Sequence, residues 1–141
     1  MEVMSTKEAK RFMMTGTRTG KLAVVRKDGR PLATPIWFVI DGDDVVFTTH
    51  STSGKGRAIK RDPRVAMVVD DDTPPYSFVL VEGTVTISED PDELLHWATK
   101  IGGRYMGAGR AEEFGRRNGV AGEYLVRIHP TSIIGRAAVS D

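Results

Sequence analysis

Lys21 to Thr49 reads KLAVVRKDGRPLATPIWFVIDGDDVVFTT. Three apolar runs, 21–26, 31–40 and 45–49, are separated only by Lys27-Asp28-Gly29-Arg30 and Asp41-Gly42-Asp43-Asp44. Asp-Gly accepts the positive φ of a tight turn, so the stretch predicts an antiparallel three-strand meander. Its connections are too short for helical crossovers, which disfavours a parallel doubly wound sheet. Pro35 removes a ladder donor from an otherwise strong strand, so Thr34 to Trp37 reads as an edge or a bulge. An edge beside Trp37 and Phe38 would offer unpaired amides and carbonyls next to an aromatic wall, which suits the rim of a planar heterocycle. A plain edge strand explains the proline as well.

Upstream, Ser5-Thr6-Lys7-Glu8 fits a capping box, with Ala9, Phe12 and Met13 on one helical face and Gly16 placed to end the helix. Downstream, Arg64 to Asp70 (RVAMVVD) and Tyr76 to Ile87 (YSFVLVEGTVTI) read as two more strands, the second interrupted at Gly83 by a bulge or barrel corner. Asp90-Pro91-Asp92-Glu93 opens a helix whose buried face carries Leu94, Ala98, Ile101 and Tyr105. A short helix around Glu112 to Arg117 leads to a last strand, Glu123 to Ile128. About six antiparallel strands with a few short helices make the chain mainly β (α+β). The candidate architectures are a small closed or partly closed barrel, or a sandwich with the Pro91 helix across one face.

Composition narrows the function. The 141 residues form one expected domain spanning 1–141, without repeat or linker. Twenty basic and nineteen acidic residues give a net charge of +1, so no overall field favours nucleic acid. Cysteine is absent, which excludes disulfide and thiolate chemistry, and no apolar run suits a signal or a membrane span. A cytoplasmic location with no membrane partner is the expectation. His50, His96 and His129 lie far apart, and neither aspartate cluster continues into a calcium loop, so no metal site is expected. No serine elbow or S-x-x-K motif is present. Without an evident catalytic acid, base or nucleophile, any catalysis would fall to a bound cofactor.

The anion-binding signal lies just after the meander. Val45 to His50 delivers the chain into Ser51-Thr52-Ser53-Gly54-Lys55-Gly56-Arg57, followed by Lys60, Arg61 and Arg64. Hydroxyls, close backbone amides and cations at a helix start are what a phosphate needs. The Walker order is absent, and a turn followed by a solvated basic helix is the alternative.

Three ordered blocks carry a family resemblance: TRTGKLAVVRKDGRPLATPIWFVIDGDDVVFTTH, KGRAIKRDPRVAMVVDD and PPYSFVLVEGTVTISEDPDELLHWATKIGGRYMG. Together they cover about three fifths of the chain. In this order they resemble the pyridoxamine 5′-phosphate oxidase-like split β-barrel flavoproteins, and most closely the actinobacterial branch that uses the deazaflavin coenzyme F-420. The resemblance implies a split barrel and a homodimer with two cofactor sites at its interface. It implies backbone contacts to the ring from Thr34, Pro35, Ile36 and Trp37, and a border to the ring and ribityl chain from Thr48, Thr49, His50 and Ser51. Lys55 and Arg57 match the cations that hold the phosphate, and Pro75, Tyr76 and Ser77 would come from the other subunit.

The implied activity is hydride transfer from the reduced cofactor to an electron-poor double bond of a small organic substrate. FMN on the same fold, and a non-catalytic cofactor- or haem-binding protein, are the alternatives. The end of the chain, RIHPTSIIGRAAVSD, lacks the arginine–histidine cluster with which the founding oxidases hold pyridoxamine phosphate. Tyr76 and Tyr105 are proton-donor candidates by chemistry alone, and burial with a bond to backbone is the expected fate of each.

Overall fold

Pairing of the first hairpin follows the Asp28-Gly29 turn. In the computed structural model, which describes residues 1–141, β2 (Gly20–Val25) and β3 (Pro31–Ile36) lie antiparallel with Gly20 opposite Ile36 and Val25 opposite Pro31. β1 (Glu2–Met4) precedes them, followed by helix α1 (Thr6–Met14). The capping box closes α1: the Glu8 amide donates to Ser5 Oγ at 3.1 Å, and the Ser5 amide donates to Glu8 Oε1 at 3.2 Å. Ala9 and Met13 are buried beneath it.

The expected second strand is two strands. It breaks at Trp37–Phe38 into β3 and β4 (Val39–Asp41), and β4 pairs back on β5 (Asp44–His50). Helix α2 (Gly54–Arg61) leads to β6 (Arg64–Asp71) and the long β7 (Ser77–Ser88). α3 (Pro91–Met106), a 3-10 turn and α4 (Ala111–Asn118) then give way to β8 (Glu123–Ala137). The count is therefore eight strands rather than six. β1 is too short to show as a pattern, and β8 runs nine residues past the expected end at Ile128. Pro130 permits that extension because it faces Gly83 at a register shift in the β7–β8 ladder, where no donor is required.

The main sheet has the order β3-β2-β6-β7-β8-β5-β4, and β1 joins β8. β3 and β4 are its two ends, and the chain joins them through Trp37 and Phe38 rather than through a ladder. This is a split barrel. Alternation fills its interior: Val45 and Phe47 of β5 face Leu22, Met67, Val81 and Ile128, all fully or nearly fully buried. Val46 takes the opposite face and joins Leu94, Ile101 and Leu125 in a second cluster under α3. The helix pair α3–α4 is closely packed: a Cβ at Gly115 would lie 2.0 Å from Thr99 Oγ1, so only glycine allows the approach. No helix is long and apolar enough to cross a membrane.

Candidate functional site

The split in the sheet leaves a cleft. β4 covers β5 only at Asp44, Val45 and Val46, so the Thr48–His50 end of β5 has no ladder partner on that side. β3 pairs with β2 on one side only. Between these open edges lies a cavity of about 430 Å³ lined by Pro35, Ile36, Trp37, Thr48, Thr49, His50, Ser53 and Lys55, with Ala98, Ile101, Asn118 and Glu123 closing it. A cleft of this volume, with a mainly polar lining beside the apolar side chains of Ile36, Trp37, Ala98 and Ile101, is of ligand-site size.

The break at Trp37–Phe38 forms one wall, and α3 holds it. Phe38 has no strand partner, yet both its backbone groups are satisfied. Its amide donates to Tyr105 Oη at 3.2 Å, and its carbonyl accepts from Arg104 Nη1 at 2.6 Å. Arg104 also donates to the carbonyls of Met13 at 2.7 Å and Gly16 at 3.1 Å, and its guanidinium lies 4.6 Å from the Phe38 ring centre. Tyr105 donates in turn to the Arg18 carbonyl at 2.7 Å. Burial raises the Tyr105 pKa above its ordinary value. With its proton committed to backbone, Tyr105 is removed as a proton donor and meets the expected fate of a backbone-bonded tyrosine. Trp37 stacks on Tyr105 with ring centres 5.1 Å apart and 4° between the planes, leaving its ring half-buried at the cleft.

The opposite wall is built locally around Ser53, the N-cap of α2. Its Oγ accepts from the Gly56 amide at 3.0 Å and donates to the His50 carbonyl at 2.8 Å. Its single proton being used there, the 2.9 Å contact with Thr49 Oγ1 has Thr49 as donor. The sequence Gly54-Lys55-Gly56 suits this turn because a Cβ on Gly56 would stand 2.3 Å from the His50 carbonyl oxygen. His50 Nδ1 accepts from the Thr52 amide at 3.1 Å, so the neutral ring carries its proton on Nε2. Lys55 then projects from the first turn of α2, where partial positive charge and the lysine act together.

Seven of the thirteen expected contact residues meet in this cleft: Pro35, Ile36, Trp37, Thr48, Thr49, His50 and Lys55. Six do not line it. Thr34 shares a face of β3 with Ile36 but lies opposite Leu22 in the β2–β3 ladder, and its Oγ1 is buried without a hydrogen-bond partner. Ser51 turns away, its amide bonded to the Gly122 carbonyl at 2.8 Å. Arg57 is exposed, because residues two apart on a helix point in nearly opposite directions. Pro75, Tyr76 and Ser77 sit at the β6–β7 turn, where the carbonyls of Pro75 and Tyr76 accept from the Ser140 and Val139 amides. Tyr76 is 44% exposed, against the expectation of burial, and adopts a φ of 63°.

The sequence reading missed Ser53 as a lining residue, and with it Asn118 and Glu123. Ser53 could have been found from its place before Gly54, as a cap. Asn118 and Glu123 arrive from α4 and β8 and carry no local signal. No group of three or more His, Asp or Glu side chains is placed to hold a metal ion.

Residues 5–135 match the family model described as pyridoxamine 5′-phosphate oxidase. The chain belongs to that family. Within the same fold, a conserved hypothetical protein from Mycobacterium tuberculosis aligns over 98% of this chain and 88% of its own, at 27% identity and a TM-score of 0.84. An F420 reductase aligns over 86% of this chain and 92% of its own, at 30% identity and a TM-score of 0.67. A haem storage protein from Vibrio cholerae shares the fold at 16% identity, with a TM-score of 0.74 over 96% of this chain and 98% of its own. No curated protein is detectably similar in sequence. Membership in the pyridoxamine 5′-phosphate oxidase family agrees with the split barrel, whose open β3 and β5 edges form the cleft.

Proposed function

We propose that this chain is a reductase that binds coenzyme F-420 in the cleft between β3 and β5 and reduces an electron-poor double bond of a small organic substrate. One observation carries the reading: Lys55 at the start of α2 and the open edges of β3 and β5 converge on one cavity. The residues fit the group. Pro35–Trp37 offers an apolar wall with free backbone groups for a planar heterocycle, Thr48–His50 offers hydroxyls and an imidazole, and Lys55 offers a cation for the phosphate. Similarity to the F420 reductase supports the deazaflavin over FMN.

When bound, the deazaflavin supplies a hydride from its central ring, and this chain supplies binding and orientation. Lys55 would hold the anionic end, Trp37 and Ile101 would exclude water from the cleft, and the β3 edge would offer backbone groups to the ring. We further propose a homodimer. Val68, Leu80 and Ile134 are cross-strand neighbours on the outer face of β6, β7 and β8, an apolar row that a second copy would cover. In that dimer the exposed Tyr76 would reach the partner's cleft.

Parallel titrations with oxidised F-420, FMN and haem, followed by turnover of an activated alkene with the reduced ligand, test the reading. Saturable F-420 binding with turnover is expected. A Soret band with no F-420 binding would replace the reductase by a haem-binding protein. Light scattering that finds only monomer with cofactor bound would remove the dimer.

A further inference from the structure

Glu123 is the one acidic side chain lining the cleft. It opens β8, directly opposite His50 in the β5–β8 ladder, and shares the cavity wall with Lys55. It also borders a second cavity of about 210 Å³, together with Glu89, Pro91 and Leu94. Burial pushes its carboxyl above the ordinary value, while the charges of His50 and Lys55 act in the other direction and no hydrogen bond contributes. The carboxylate is therefore a resident anion beside the cation expected to hold an incoming one.

Ligand charge decides how much that matters. FMN ends in a phosphate monoester, which carries about −1.5 to −2 at neutral pH. The phosphate of F-420 is a diester, because the chain continues through it to a lactyl group and glutamates, and at that position it carries a single charge. Lys55 balances one negative charge and the start of α2 adds only a partial positive one, so an ionised Glu123 leaves a second negative charge largely unbalanced. Repulsion from Glu123 thus grows with the charge of the phosphate.

We propose that Glu123 is a specificity-determining residue that disfavours dianionic phosphate monoesters in this cleft and so selects F-420 over FMN. The inference rests on the cofactor site proposed above. Glu123→Gln keeps the shape and removes the charge. At pH 8 the variant should bind FMN about tenfold more tightly than wild type, and F-420 no more than about threefold more tightly. The FMN to F-420 affinity ratio is the readout, with thermal melts to verify folding.

The same ratio in wild type gives a second measurement that needs no variant. As pH falls from 8 to 5, the FMN phosphate and Glu123 both take up protons, so FMN should gain more than F-420. His50 and Lys55 line the same cleft and face both ligands alike, and Glu89 lies in the adjoining cavity. An unchanged ratio in Glu123→Gln, with F-420 still bound, would overturn the role of Glu123 and leave the cofactor reading intact. A wild type that prefers FMN would overturn the cofactor reading, while a ratio that moves in the variant would still support Glu123. Failure of both ligands to bind either protein would overturn both.

Discussion

On one wall of the cleft, Phe38 is held by side chains 66 and 67 residues away in sequence; on the other, Ser53, His50 and Gly56 hold one another across gaps of three residues. The first wall is a largely part-buried, long-range network in which Arg104 ties together α1, the strand break and α3. The second is a set of exposed or half-buried local bonds around a helix cap. Long-range bonds between elements couple a wall to global stability, whereas local bonds at a loop let residues serve binding with little effect on the fold. Stability and affinity should therefore separate between the two walls.

The largest effect is expected at Arg104. Arg104→Ala leaves the Met13, Gly16 and Phe38 carbonyls without their donor and should cost about 3–4 kcal/mol in urea unfolding. A loss below about 1 kcal/mol would mean that water replaces the guanidinium and that this wall is no better anchored than the other. Trp37→Ala comes next, at about 2 kcal/mol, because the ring is half-buried against Tyr105 and Phe114. An unchanged denaturation midpoint would show that the stack contributes nothing to the fold.

On the local wall the order reverses. Lys55→Ala should leave the melting temperature nearly unchanged and weaken cofactor binding roughly ten- to hundredfold, with a shallower salt dependence than wild type. Equal affinity would take α2 out of the site. Arg57→Ala should change affinity by less than about threefold, since an exposed and solvated charge is well screened. A loss as large as that of Lys55→Ala would show that α2 rotates on binding.

The smallest effect concerns Glu123 and stability. Burial raises its pKa in the folded chain, so the native state holds this proton more strongly than the unfolded chain does. Native stability therefore declines as pH rises through the carboxyl's range. Glu123→Gln should melt slightly above wild type at pH 8, and the difference should vanish below about pH 4. A variant that melts lower at pH 8 would mean that the charge attraction to Lys55 outweighs burial.

The same division explains what could be read from residues alone. The Ser5–Glu8 box, the Asp28-Gly29 and Asp41-Gly42 turns, the Asp90-Pro91 helix start and the Gly83 irregularity are rules of near neighbours, and each appears where the sequence places it. So does Lys55 at the start of α2. The break at Trp37–Phe38 was invisible because the groups that satisfy Phe38 lie far along the chain, on a helix that reads simply as amphipathic. Glu123 and Asn118 were missed for the same reason. Arg57 illustrates a different limit: proximity to Lys55 in sequence hid the helical phase that separates them in space.

β8 pairs with β1, β5 and β7, so three earlier strands receive their central partner only from the last strand in chain order. During synthesis, β5 and β7 must wait with unpaired edges until residues 123–137 clear the ribosome, and those edges resemble the exposed templates on which chains associate. The barrel is thus an assembly closed by its final part. Its vulnerability in the cell lies in the interval before β8 appears, when partial chains should be protease-sensitive and depend on chaperones.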